Sequence, residues 1–384
     1  MIDPRLEEFA TETQKKYIQA IREHGSHGKA AKALGVSKGT LGNAMCSVHR
    51  RAASKGYAPE FDMVRPAPTG FSVKGTSTYY DEEGKVRGQW VKTQRDREET
   101  EEVLREFVRE LMQDVPALPP VPVVAKPVDA DLLSVYPMGD PHFGLYAWWQ
   151  DAGENFDLDI AEKLTCGAVD RLVASAPASE TALLLNLGDM FHADNQSNLT
   201  KSGHQLDVDG RWKKVQQVGL RAMIYAVRRL LEKHQKVIFR INAGNHDGHS
   251  SYALAMMMDA YFHLEPRVQV DLNPAVAWYF QFGNVLIGST HGDTIKGNDL
   301  VSVMAADQPR SWGETRHRYW YVGHVHHQDL KEYRGGVVEY FRTLAARDAW
   351  HAGQGYRAGR DMRLIVLHRD HGEIERHRVD AAMI

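Results

Sequence analysis

Apolar positions along this chain follow two rhythms, and the change between them divides it. Between residues 12 and 56 the spacing is helical. Tyr17, Ile18 and Ile21 form one stripe, Ala30, Ala31, Ala33 and Leu34 a second, and Leu41, Met45 and Val48 a third. Gly35 and Val36 make a turn, and Ser37 is placed to cap the third helix. Pro59, Pro66 and Pro68 mark a linker. Alternating runs on either side of Asp81 to Gly84 predict a hairpin within residues 71–93. Val103, Phe107 and Leu111 predict a highly charged amphipathic helix over 96–115, a surface or interface element able to pair with a second chain. Pro119, Pro120, Pro122 and Pro127 then hold the chain extended. After residue 131 strand-like runs at 132–138, 182–187 and 237–242 alternate with helical patterns near 160–174 and 215–234. The remaining apolar runs, at 276–282, 285–290, 319–322, 337–341 and 364–368, read as strands. The expected fold class is α/β: a β-sandwich flanked by helices, preceded by a small helical domain and a β-hairpin. The expected divisions are a helical domain at 1–57, a linking region at 58–130 and a large domain at 131–384.

Charge changes this picture only locally. With 47 basic and 50 acidic residues among 384, the whole chain is no general polyanion binder. Over 14–56, however, nine Lys and Arg face Glu23 alone. Together with the small residues of the middle helix and the Gly turn, that excess resembles a helix-turn-helix DNA-binding unit. On its third helix Lys38, Thr40 and Asn43 are the candidates for base edges, with Arg50 and Arg51 for the phosphate backbone. The competing reading is a three-helix docking module with a solvated basic face. In the hairpin, Tyr79, Tyr80 and Trp90 beside Lys74, Arg87 and Lys92 allow stacking on nucleic acid, but packing within the hairpin is the expectation. Cys46 and Cys166 are too few for a disulfide framework, which favours a reducing compartment. No run of about 18 apolar residues exists to span a membrane, and the charged start, MIDPRLEEFATETQ, lacks the apolar core of a secretory signal.

The chemistry gathers where predicted strands end. Asp140 and His142 follow the first strand of the large domain, Asp189 the second, and Gly244-Asn245-His246-Asp247 the third. His291 and the Gly323-His324-Val325-His326 run follow later strands. Loops at strand ends, held by a rigid scaffold, are where α/β folds place their sites. The set Asp140, His142, Asp189, Asn245, His291, His324 and His326 mixes carboxylate and amide oxygen with imidazole nitrogen and contains no thiolate. That argues against a structural zinc site and suits manganese, iron or zinc. Seven ligands exceed one tetrahedral ion but suit two divalent ions sharing one carboxylate. Such a pair binds a phosphate oxygen and lowers the pKa of a bridging water. His246 is then free to assist the leaving oxygen as a catalytic group, and His192 is a second candidate of that kind. Trp148, Trp149 and Trp312 can line a groove, although core packing is the default for tryptophan.

These motifs, taken together and in order, resemble the calcineurin-like metallophosphoesterases over roughly residues 132–345. The resemblance implies a β-sandwich flanked by helices. It implies that Asp140, His142 and His326 hold one metal, that Asn245, His291 and His324 hold the other, and that Asp189 bridges them. The Gly188-Asp189-Met190-Phe191-His192 run is similar to the SbcD-like DNA nucleases, which implies manganese as the native ion, with iron, zinc or magnesium as alternatives. Residues 194–195 and 207–211 and the hairpin are similar to phage and prophage members, which implies the cytoplasm of a bacterium or phage-infected host. Unlike SbcD-type chains, the DNA-contacting addition lies before the phosphoesterase part, so no ATPase partner is implied. The expected function is a dinuclear-metal phosphodiesterase acting on DNA, single- or double-stranded, in which a metal-bridging hydroxide attacks phosphorus. The alternatives are a phosphatase or small-molecule or cyclic-nucleotide phosphodiesterase, and a non-catalytic DNA-binding regulator.

Overall fold

The structure is a computed structural model that describes residues 3–59, 63, 71–80, 86–95, 128–199 and 205–384. The helix expected at 96–115 and the Pro-rich segment at 117–127 lie outside the described residues. The chain divides into two compact units, Met1–Phe107 and Val108–Ile384.

Among the described residues, the first unit contains three α-helices: α1 (Glu12–His24), α2 (His27–Ala33) and α3 (Lys38–Ser54). Each start is capped by a side chain, Thr11 with a reciprocal bond from Gln14, Ser26, and Ser37. These caps satisfy amide donors that the first helical turn leaves unpaired. Gly25 ends α1 at φ 71°, a conformation open to glycine at little cost. Ile18, Ala30, Leu41, Val48 and Ala52 are fully buried and form the core of the unit, closed by Leu6 from a short 3-10 turn, Pro4–Phe9. The hairpin is β1 (Phe71–Tyr80) and β2 (Val86–Arg95), antiparallel with Ser77 opposite Trp90 and Tyr79 opposite Gly88. That register puts Tyr79 and Trp90 on one face, where they are 60% and 64% exposed. The expectation that both pack within the hairpin is therefore corrected: their shared face leaves both rings exposed.

The second unit is a mixed α/β fold of two sheets flanked by helices, the fold class expected. The six-stranded sheet comprises β3 (Asp129–Met138), β4 (Ser179–Asn186), β5 (Lys236–Ile241), β6 (Val268–Val270), β12 (Asp361–His368) and β13 (Gly372–Asp380), in the order β13-β12-β3-β4-β5-β6. β3 to β6 are mutually parallel, and the helices α4 (Leu158–Ser175) and α5 (Trp212–Leu231) serve as crossovers. The five-stranded sheet comprises β7 (Trp278–Phe282), β8 (Val285–Thr290), β9 (His317–Val322), β10 (Asp329–Tyr333) and β11 (Gly336–Tyr340), in the order β10-β11-β9-β8-β7. The core lies between the sheets. Leu133, Val135, Leu183, Leu185 and Ile238 meet Val285, Ile287, Tyr321 and Phe341. Each such side chain contributes roughly 1.5–3 kcal/mol on burial.

The opposite faces are also covered, so β8 is buried throughout, β4 over residues 182–186 and β3 over residues 133–138. This is why they read as continuous apolar runs. Helices α6 (Ser250–Phe262) and α7 (Leu300–Asp307) complete the layers; Leu300 and Met304 of α7 pack on Leu286, Trp320 and Val338. A polar cluster is buried on the other face of the six-stranded sheet, where Ser134 and Tyr136 point. His234, fully buried, meets the Tyr136 hydroxyl at Nε2 (2.9 Å) and the Ser179 carbonyl and hydroxyl at Nδ1 (2.9 and 3.0 Å). Burial pushes its pKa down to about 4. Among the described residues, no helix is long and apolar enough to cross a membrane.

Candidate metal centre

The parallel strands deliver their following loops to one place. Asp140 and His142 follow β3, Asp189 follows β4, Asn245 and His246 follow β5, His291 follows β8, and His324 and His326 follow β9. Five of the seven expected ligands sit at positive φ: Asp140 (42°), His142 (47°), Asp189 (48°), His324 (72°) and His326 (56°). A non-glycine residue held there costs on the order of 1 kcal/mol or more. The surrounding hydrogen bonds hold each turn in place. Both Asp140 carboxylate oxygens accept from the His324 amide at 3.0 Å. The Asp189 Oδ1 accepts from the His246 amide at 2.8 Å, and the His142 amide donates to the Asp189 carbonyl at 3.0 Å. Gly244 permits this closeness, since a Cβ there would fall 2.0 Å from Asp189 Oδ1.

The side chains form two groups that meet at Asp189. Asp140, His142 and His326 offer ligand atoms all within 4.8 Å of one another, and so do Asp189, His291 and His324. Asn245 joins the second group, its Oδ1 lying 3.0 Å from His291 Nε2. Asp189 Oδ2 is 3.2 Å from His291 Nε2 and 4.0 Å from His142 Nε2, so one carboxylate faces both groups. His291 points inward because its Nδ1 donates to the Leu187 carbonyl at 3.0 Å, leaving Nε2 for the centre. His142 Nε2 and His326 Nε2 approach to 3.0 Å.

The electrostatics are those of a cation site. Asp140, Asp189, His142 and His291 are each no more than 2% exposed. Burial pushes the Asp140 carboxyl up to about 7, against the pull of His291. Burial also acts to raise Asp189, but the His291 charge and hydrogen bond win and hold it well below the usual range. His291 moves the other way, up to about 10, because Asp189 outweighs its desolvation. Burial and neighbouring imidazoles push His142 well down, and burial with the His291 charge lowers His324. Two buried carboxylates, the lowered imidazoles of His142 and His324, and converging oxygen and nitrogen donors fit divalent-cation binding.

The remaining expected residues separate by position. His246 donates from Nδ1 to the His192 carbonyl at 2.8 Å, and its ring lies 5.0 Å from that of His142. His192 is 2% exposed with Nδ1 3.2 Å from His142 Nδ1, so it orients His142 from behind. Lys38, Thr40, Asn43 and Arg50 are exposed on α3. Arg51 is not: it bonds the Phe9 carbonyl (2.9 Å), Ser47 Oγ (3.0 Å) and Gln14. These bonds tie α3 to the unit's N-terminal segment. Trp312 packs under the Arg318 guanidinium, 4.0 Å from its ring centre. Trp148 and Trp149 depart from the default of core packing, at 44% and 56% exposure. Leu145 and Ala147 point inward while Tyr146 and Trp148 point out, on backbone fixed by bridges to Val208 and Phe156. An aromatic strip therefore follows His142 along the same loop.

Two supporting residues escaped sequence reading. Thr343 Oγ1 donates to the Asp140 carbonyl at 2.6 Å from 203 residues away, which no local pattern signals. Asp247 is fully buried and accepts from the Phe191 amide (3.1 Å) and the Gly244 amide (3.0 Å), locking the β5 loop to the β4 loop. Its place inside the Gly244-Asn245-His246-Asp247 run was the available signal.

No known family profile matches this chain, and no curated protein sequence matches it. Several solved structures are similar at low identity. A conserved uncharacterized protein of Streptococcus pneumoniae TIGR4, described as a predicted phosphoesterase, matches 65% of this chain and 98% of its own at 12% identity and TM-score 0.28. Vps29 of Entamoeba histolytica, complexed with zinc, matches 65% of this chain and 99% of its own at 12% identity and TM-score 0.29. An archaeal phosphodiesterase matches 64% of this chain and 99% of its own at 11% identity and TM-score 0.33.

Proposed function

We propose that this protein is a metal-dependent phosphodiesterase of the calcineurin-like type, acting on nucleic acid, with two divalent cations of which manganese is the favoured ion. One observation carries the reading: two groups of donors, Asp140, His142 and His326, and Asn245, His291 and His324, face the single carboxylate of Asp189. A divalent pair bound there would supply charge neutralisation to a phosphate diester and acidify a water next to phosphorus. The chain's own residues do the rest. Asp189 keeps its carboxylate ionised between the two groups, and the turns at positive φ fix the ligand directions before substrate arrives. His246, held through Nδ1 by the His192 carbonyl, keeps Nε2 for the departing oxygen, and only its imidazolium form, with a second proton on Nε2, delivers a proton there. His192 acts through His142 as a positioning residue.

The nucleic-acid part of the proposal has two supports. The exposed strip of Tyr146, Trp148 and Trp149 leads away from His142 and offers faces on which bases can stack. The exposed Lys38, Thr40, Asn43 and Arg50 of α3 offer contacts to DNA, with Lys16, Lys29 and Lys32 exposed on the same unit. The second reading, a phosphodiesterase for small diesters, uses the same centre and neither of these surfaces.

The deciding experiment uses the full-length protein with labelled single- and double-stranded DNA, with and without manganese, beside Asp189→Asn and a bis(para-nitrophenyl) phosphate control. Manganese-dependent DNA cleavage that the variant loses is the expected result. Cleavage of the small diester with DNA untouched transfers the protein to the second reading. Failure to cut either substrate with any divalent ion overturns the enzymatic proposal.

A further inference from the structure

Beside the metal centre lies a cavity of about 250 Å³ that the expected ligands do not use. It opens next to Val325, the residue between His324 and His326, and is lined by Lys296, Asn298, His327, Lys331, Tyr333 and Tyr340. The Tyr340 ring joins it to the centre. A Cβ at Gly292, directly after His291, would lie 3.5 Å from both His324 Cβ and the Tyr340 ring. At the other end of that ring, a Cβ at Gly297 would come 2.7 Å from the Tyr340 hydroxyl. Glycine at 297 thus keeps the hydroxyl accessible from the cavity.

The lining is rich in donors. Among the described residues, neither Lys296 nor Lys331 pairs with a carboxylate; Lys331 Nζ instead lies 5.0 Å above the centre of the Tyr333 ring. The Tyr333 hydroxyl donates to Asn298 Oδ1 at 2.8 Å, which leaves the amide NH₂ as the free polar group of Asn298. His327 donates from Nδ1 to the Val325 carbonyl at 2.8 Å, which fixes its ring at the cavity edge. Among the described residues, Asp329 is the single carboxylate of the lining. Two ammonium groups, an amide NH₂ and a hydroxyl around so small a space suit a phosphate group, as charge-assisted bonds to phosphate are the strongest these donors can make.

We infer that this cavity is an anion subsite that takes the phosphate neighbouring the scissile ester. The inference rests on the phosphodiesterase reading and deepens it: the preferred substrate is a nucleotide chain with a second phosphate beside the bond that is cut. Lys296 and Lys331 are specificity residues, holding that phosphate while the ester sits at the metal ligands.

Two measurements on the full-length protein test this. In the first, thymidine 3′,5′-bisphosphate is titrated calorimetrically in chelator, so that no metal contributes. The double variant Lys296→Gln with Lys331→Gln is expected to bind at least about tenfold more weakly, through the loss of both charge-assisted contacts. Lys331→Arg, which keeps the charge, is expected to stay within about threefold of the wild type. Equal binding by wild type and double variant, or no binding by the wild type, overturns the subsite. In the second, the manganese-loaded protein cuts a thymidine dinucleotide with and without a terminal phosphate. The ratio of the two kcat/KM values is expected to fall about tenfold in the double variant; an unchanged ratio overturns the subsite. If neither dinucleotide nor any diester is cut, the phosphodiesterase reading fails, and the titration still decides whether the cavity binds phosphate. Matching thermal melts of all proteins exclude unfolding as the cause of any loss.

Discussion

The two units of this chain carry their chemistry in opposite ways. In the second unit the reactive side chains are buried, bonded to one another and held on strained turns. In the helical unit the candidate DNA contacts Lys38, Asn43 and Arg50 stand exposed, and the core behind them is ordinary helix packing. A buried constellation fails when any member changes, because each remaining charge or donor is left without its partner. An exposed set fails by degrees, each cation removing one contact.

Asp189→Asn should break the contrast most sharply. It removes the one charge that faces both donor groups, so manganese-dependent cleavage should fall on the order of a thousandfold. DNA binding measured by fluorescence anisotropy in chelator should stay within about twofold. Equal loss of both would mean that the units do not act separately.

Acid should also divide the units. The folded pKa of His234, about 4, lies below its ordinary value of 6.5. Between these values the unfolded chain binds more protons, so stability rises with pH across the window. On acidification it is lost from about pH 6.5 downward and levels off below about 4, roughly 3 kcal/mol in all. The helical unit's His24, His27 and His49 are exposed and have no comparable burial. Seven of the eight tryptophans follow residue 128, so denaturation read by tryptophan fluorescence reports the second unit. His234→Gln should flatten its pH dependence.

Gly244→Ala tests the close approach at Asp189 and should cost about 1–3 kcal/mol of stability with loss of metal binding, checked by thermal melting and calorimetry. The smallest and most discriminating pair is Arg50→Ala against Arg51→Ala. Arg50→Ala should leave the melting temperature unchanged, weaken DNA binding a few-fold and lower the salt slope by about 1. Arg51→Ala should do the reverse, costing about 1 kcal/mol through its lost bonds to Phe9, Ser47 and Gln14.

Much of this was legible because chemistry and periodicity coincided. Each ligand motif follows an apolar run, and every such run is a strand of the second unit. Several elements were missed for identifiable reasons. Helix α6, SSYALAMMMDAYF, is apolar on most sides and so lacks an amphipathic stripe. Strand β10, DLKEY, lies at a sheet edge with four of five residues exposed, and β13, GEIERHRVD, is dominated by charge. Both take their conformation from a neighbouring strand rather than from their own pattern. The support of Asp140 by Thr343 is a contact between distant parts of the chain and leaves no trace in local spacing.

The left-handed turns under Asp140, His142, Asp189, His324 and His326 also restrict what substitution can do at these positions. Asparagine, aspartate and histidine are the non-glycine residues most at ease in that region of backbone space, whereas β-branched residues are not. Drift at these five sites is therefore channelled into exchanges among a small alphabet that the backbone accepts. An aspartate replaced by asparagine would keep its turn, its neighbours and the shape of the molecule while losing the charge that draws the cation. Exchange within that alphabet can thus alter the chemistry of the site while the fold that carries it stands.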